Sequence, residues 1–234
     1  MATADTRYSF TAQFLRGAAI FTRRAHEIDL SEHVSEELQS EHRACVVGAI
    51  TQAAAALEAE IYEVLVHGPG HHLGSNGTDV TAREFLLPLA NTIDGEPTLR
   101  RYELVLHLLH KPAFDRGAQP HQRANLLIGL RNELIHYKSK WGEQMDCASI
   151  FKRLQDLKFD KPTFMSTHTN FFPHQCLSAS LASWSVTTGV DFINAFYKNL
   201  SVASPLTAQA MHLTVPEPRY LTRARQGKKE QSGK

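Results

Sequence analysis

The sequence predicts an all-α protein, a helical bundle of four to five main helices. Three observations predict it. Apolar residues recur in steps of three and four through most of the chain. No stretch alternates apolar and polar residues as a half-buried strand would. Prolines and glycines gather between the periodic stretches rather than inside them. At 234 residues the chain is long enough to bury a core without disulfide staples, and a hydrophobic share of 42% argues against wholesale disorder.

The elements follow in order. Tyr8 to His26 predicts a helix with Phe10, Phe14, Ala18 and Phe21 on one face. Ser31 is expected to cap the next helix, whose first turn is acidic. That helix is the longest, from Ser35 to Val66, with Leu38, Val46, Ile50, Ala53, Leu57, Ile61, Val64 and Leu65 at helical spacing. Its run from Ala53 to Ala56 favours helix and lets a neighbour approach closely. Residues 67–97 are expected to form a loop-rich insertion. Glycines and a proline break the period at its start, a short helix runs through Arg83–Asn91, and a turn closes it at Ile93–Pro97. Thr98 to His110 is helical through Leu99, Tyr102, Leu106 and Leu109, and Pro112 ends it. Pro120 suits the first turn of a helix running to about Tyr137. A shorter helix covers Met145 to Leu157, and an irregular stretch follows. His174 to Leu200 predicts the last long helix, with Leu177, Leu181, Trp184, Thr188, Phe192 and Phe196 as a core stripe. Residues 1–218 are thus expected to form one domain, followed by a disordered basic tail, Arg219–Lys234.

Charge narrows the function classes. The tail holds six basic residues against one acid, so of the formal net +1 it carries +5 and the rest of the chain −4. A mildly acidic body argues against coating nucleic acid and for a small, local phosphate site. No run approaches the roughly 18 apolar residues of a membrane span. The first residues lack the apolar core of a signal peptide, so a cytoplasmic protein with no membrane partner is expected. Cys45, Cys147 and Cys176 are far apart and form no C-x-x-C pair, which suits reduced thiols rather than a disulfide framework or a cysteine zinc site.

Histidine is abundant, 13 in all. His67, His71 and His72 lie in a glycine loop with no cysteine nearby and are expected to be solvated rather than to hold a metal. His107 and His110 are expected to be surface or interhelical polar residues. Glu58 and Glu60 read as surface acids, with one alternative, that one of them pairs with Arg131 and orients it. The Gly68–Gly77 loop lacks the Gly-Lys-Ser/Thr ending of a phosphate-cradling loop.

The informative stretch is Leu130-Arg131-Asn132-Glu-Leu-Ile-His136-Tyr137-Lys138-Ser-Lys140-Trp141, the end of an apolar helix. Its residue types suit phosphodiester cleavage in RNA. A neutral imidazole takes the proton of an attacking 2′-hydroxyl, a contribution of about 10²- to 10⁴-fold in rate. A guanidinium is a fixed bidentate donor for the charge that gathers on the phosphoryl oxygens. Such a mechanism needs no metal and no cofactor. His136 would be the base, Arg131 the phosphate ligand and Asn132 a support for the ring or the phosphate. Tyr137, Lys138 and Lys140 would extend a basic rim. Arg131 and His136 stand about 140° apart on an ideal helix, whereas Asn132 and His136 share a face. To share one site, either the helix end distorts, or Arg131 reaches round on its long stem, or two copies of this helix meet across a dimer axis. The third arrangement supplies two histidines, one as base and one as acid.

These residues resemble the Arg-Asn-x(3)-His signature of the HEPN superfamily, the "higher eukaryotes and prokaryotes nucleotide-binding" domains. Pro112–Pro120 and Lys140-Trp141 are similar to an uncharacterised bacterial branch of it. The alanine-rich helix with Leu57-Glu58 and the closing helix around Ala182-Ser-Trp184 also fit. The resemblance implies a helical-bundle homodimer with its site in the groove between subunits. For active members it implies metal-independent RNA cleavage in toxin–antitoxin, phage-defence or RNA-processing settings. It carries over Arg131, Asn132 and His136 and nothing else. Two functions are therefore expected in competition: a dimeric endoribonuclease acting on RNA, with a protein partner or antitoxin, and a non-catalytic dimerisation, nucleotide-binding or protein-binding module.

Overall fold

A computed structural model describes residues 9–73, 79–138, 149–157, 159–166 and 168–217. The described residues are helical, with no strand among them. Seven α-helices appear in order: α1 (Phe10–Asp29), α2 (Glu36–His67), α3 (Val80–Leu86), α4 (Thr98–Leu108), α5 (His121–Ile135), α6 (Ser149–Asp156) and α7 (Ala179–Leu200). The all-α class is as the periodicity predicts. The basic tail, Lys140, Cys147 and the start of the helix expected from Met145 lie outside the described residues.

α2 is the axis of the bundle. It packs against α1, α3, α4, α5 and α7. A helix with neighbours on several sides is apolar on several sides, and α2 buries Val46, Ile50, Ala53, Ala56, Leu57, Ile61 and Val64 among others. α1 and α2 form an antiparallel hairpin. Arg24 meets Glu41 near the connection, and Glu63 at the far end takes the backbone N–H groups of Phe10 (3.0 Å) and Thr11 (3.3 Å). Glu63 thus caps α1 in place of Ser9, whose side chain makes no cap bond. α7 lies in the angle between these helices, and the approach at Gly189 is close. A Cβ there would stand 3.3 Å from Leu15 Cδ2 and 3.4 Å from the Ala53 carbonyl oxygen. Tyr102 of α4 closes the core, its ring edge-on to Phe192 and Phe196 and its hydroxyl donating to the Leu57 carbonyl at 2.8 Å. Trp184 is buried beside Phe159, so it is packing, as its place in the stripe suggests.

Four expectations about local structure are corrected. Ser35, not Ser31, caps α2: its hydroxyl accepts from Leu38 N, whereas Ser31 Oγ donates back to the Glu27 carbonyl at the end of α1. The helix expected at Arg83–Asn91 begins earlier, at Val80, because Asp79 accepts from Ala82 N at 2.9 Å, and it changes to a 3₁₀ turn at Leu87–Leu89. The last helix does not start at His174. A π-turn spans Phe171–Gln175, with Phe172 non-helical, and α7 begins at Ala179 with Ser178 as its cap. The loop-rich insertion is partly interior: Gly68, Pro69, Gly70 and His71 are buried, and His71–Leu73 form a 3₁₀ turn.

α2 alone among the described helices has the length and hydropathy of a membrane span, and 56% of that window is buried inside the bundle. Its apolar character is accounted for by its five helical neighbours.

Candidate functional site

The α5 stretch ends where the sequence places its chemistry. His136 is the C-cap, its N–H bonding the Asn132 carbonyl at 2.9 Å. The chain leaves the helix there, so the rings of His136 and Tyr137 and the Lys138 side chain are exposed. Asn132, one turn earlier, is exposed on the same face. Among the described residues neither the His136 imidazole nor the Asn132 amide has a polar partner. Tyr137 lies against Phe172, ring centroids 6.0 Å apart.

Arg131 points elsewhere. Its Nη2 pairs with Glu58 Oε1 on α2, and Glu58 also accepts from Thr98 Oγ1 at 3.4 Å. The guanidinium is 17% exposed and the carboxylate 39%. Glu58 is therefore not a free surface acid. It is paired with Arg131 across α2 and α5. Within one copy the helix turns Arg131 toward α2 and His136 toward solvent, about 140° apart. The structure brings together Arg131 with Glu58, and Asn132 with His136, but not the two pairs with each other.

Two titratable clusters escaped the sequence. The first is buried beneath the N-terminus of α1. Glu60, expected at the surface, is 1% exposed and accepts from the Tyr197 hydroxyl. Burial pushes its carboxyl up to about 7, against the opposing hydrogen bond from Tyr197. His71 is not solvated: its Nε2 lies 3.5 Å from Glu63 Oε2 and its Nδ1 3.1 Å from the Gly68 carbonyl. Burial would lower the His71 pKa, but Glu63 and Glu60 together raise it. The His72 ring stands edge-on to Tyr197 at 5.3 Å, and burial together with His71 lowers its pKa. The signal for Glu60 was present, since it sits four residues from both Ala56 and Val64 on the apolar stripe. Nothing in the Gly-rich stretch announced that His71 folds inward.

The second cluster joins α4, α5 and the connection between them. Glu103 on α4 receives Arg116 Nε at 2.7 Å and Arg100 Nη1 at 3.3 Å, and His121 Nε2 of α5 lies 3.3 Å away. Burial opposes ionisation of Glu103, yet the two guanidiniums hold its pKa below the ordinary carboxylate value. Elsewhere, buried His42 faces Asp29 at 3.3 Å at the α1–α2 connection. Among the described residues no three His, Cys, Asp or Glu side chains converge as a metal-ligand set. Comparison with known protein families, curated proteins and solved structures finds no match to this chain.

Proposed function

We propose that the protein is a metal-independent endoribonuclease of HEPN type that acts as a homodimer in the cytoplasm, in toxin–antitoxin, phage-defence or RNA-processing settings. The observation that carries this reading is the exposed His136–Asn132 pair at the open end of α5, without a polar partner among the described residues, beside an arginine paired with Glu58. In the dimer, the α5 ends of two copies meet across the axis and enclose one groove. His136 takes the 2′-hydroxyl proton, the 2′-oxygen bonds to phosphorus, and the P–O5′ bond breaks. The partner subunit's His136 protonates the departing 5′-oxygen, leaving a 2′,3′-cyclic phosphate and a 5′-hydroxyl. Arg131 donates to the phosphoryl oxygens where charge gathers. Asn132 orients the ring, and Tyr137, Lys138 and Lys140 form the rim.

The test is RNA cleavage by purified protein in EDTA. Cleavage that persists, yields 2′,3′-cyclic ends and is lost in Arg131→Ala and His136→Ala supports the reading. Wild-type activity abolished by the chelator refutes the metal-free mechanism.

A second reading is favoured by one specific observation. The Arg131–Glu58 ion pair joins α5 to α2 and accounts for Arg131 without any substrate. On that reading the chain is a non-catalytic module that binds a nucleotide or a protein partner. It predicts an RNA-inert wild type, with Arg131→Ala lowering stability or dimerisation instead.

A further inference from the structure

A cleft of about 750 Å³ opens between α4, α5 and α6, well inside the size range of small-molecule sites. Three guanidiniums from three separate parts of the chain line it: Arg100 on α4, Arg116 on the following connection and Arg153 on α6. A carboxylate already occupies the point where two of them converge. Arg116 grips both oxygens of Glu103 through Nε and Nη2, Arg100 adds Nη1 at 3.3 Å, and His121 completes the set at 3.3 Å. Glu103 therefore draws Arg100 and Arg116 to one side of the cleft. A guanidinium has five N–H donors, and neither arginine spends all of them on this carboxylate. Arg153 is exposed and has no polar partner among the described residues. Against these three cations stand two carboxylates, Glu103 and Glu96, so the arginines outnumber the acids in the lining. Pro97 and Leu99 add an apolar wall, and the exposed amides of Gln122 and Asn125 add neutral donors and acceptors.

We propose that this cleft is a binding site for the phosphate group of a nucleotide, with Arg153 and the free edges of Arg100 and Arg116 as its ligands. Phosphate matches the guanidinium fork, which binds it through two parallel hydrogen bonds. The volume exceeds that of a lone phosphate, and the Pro97–Leu99 wall gives a base or sugar an apolar surface. The phosphate comes from a free mononucleotide or from an RNA strand. Asn125 and His136 lie on one exposed stripe of α5, and eleven residues of helix separate them by about 16 Å. A strand in the cleft would therefore extend toward the α5 end. The proposal stands on residues apart from the cleavage site, so it survives if the nuclease reading fails.

The experiment measures binding of three probes in low salt: inorganic phosphate, uridine 5′-monophosphate, and a labelled 2′-O-methyl RNA decamer that has no attacking hydroxyl. Wild-type, Arg153→Ala, Arg153→Lys and, as a control for an exposed charge outside both sites, Lys198→Ala proteins are compared. The expected result is binding of the monophosphate or the decamer that weakens about tenfold in Arg153→Ala and is unchanged in Lys198→Ala. Arg153→Lys should recover part of the loss. Arg153 is exposed, and an unchanged circular dichroism spectrum separates lost binding from lost fold. Binding of the monophosphate identifies a free nucleotide as the source; binding of the decamer alone identifies a strand, with a salt slope reduced by about 0.7 in the alanine variant. Equal binding by wild type and Arg153→Ala, or no binding of any probe, overturns the proposal.

Discussion

At the scale of single residues, Glu58 decides what Arg131 is for. The pair is partly exposed, at 17% and 39%, so breaking it should cost under about 1 kcal/mol. On the nuclease reading Glu58 is a positioning residue. Glu58→Gln is then expected to lower kcat about tenfold with little change in KM and a nearly constant melting temperature. A large fall in melting temperature with no kinetic effect would assign the ion pair to the fold instead. Glu60 gives a prediction in pH. Its carboxyl is raised from an ordinary 4.5 to about 7, so the folded state holds a proton that the unfolded chain has released. Stability therefore falls as pH rises between those two values. His71 acts in the same direction: its raised pKa contributes stability at low pH that is lost as pH rises through the folded value. The melting temperature should drop from about pH 5 to about pH 8, and Glu60→Gln should flatten the drop while keeping an acceptor for Tyr197. A Glu60→Gln slope identical to wild type would remove Glu60 from the account.

At the scale of elements, caps and close approaches set where helices stop and how they cross. Two serines near the start of α2 looked alike in sequence, because both precede acidic and apolar residues. Only Ser35 accepts from a helical N–H, so Ser35→Ala is expected to cost about 1 kcal/mol in urea unfolding and Ser31→Ala distinctly less. Gly189 is the contact point of α7 with α1 and α2. Gly189→Leu should cost about 1–3 kcal/mol, because the added atoms meet Leu15 and backbone that cannot move aside. Periodicity was enough to find α1, α2, α4, α5 and α7, since each presents several apolar residues to one core. It failed at His174, where the apolar spacing continues through Phe171 and Phe172 while the backbone departs from α-helix. Side-chain spacing reports which face is buried, not which dihedral carries it.

At the scale of the whole molecule, the nuclease reading requires two copies. Wild-type protein diluted into a tenfold excess of His136→Ala protein should lose about tenfold in activity, because nearly every wild-type subunit then pairs with a variant. Activity proportional to wild-type protein alone would mean a monomer acts by itself. The sequence alone determined the helical class, the long helix α2 and the grouping of Arg131, Asn132 and His136 at one helix end. Those features depend on local spacing, which a sequence records directly. The tertiary structure alone decided that Arg131 turns to Glu58, that Glu60 and His71 lie inside, and that Arg100, Arg116 and Arg153 share a cleft. Each joins residues on different helices, from Glu58 with Arg131 across 73 positions to arginines on three elements. Such partners are chosen by how the helices pack, and no local pattern encodes that choice.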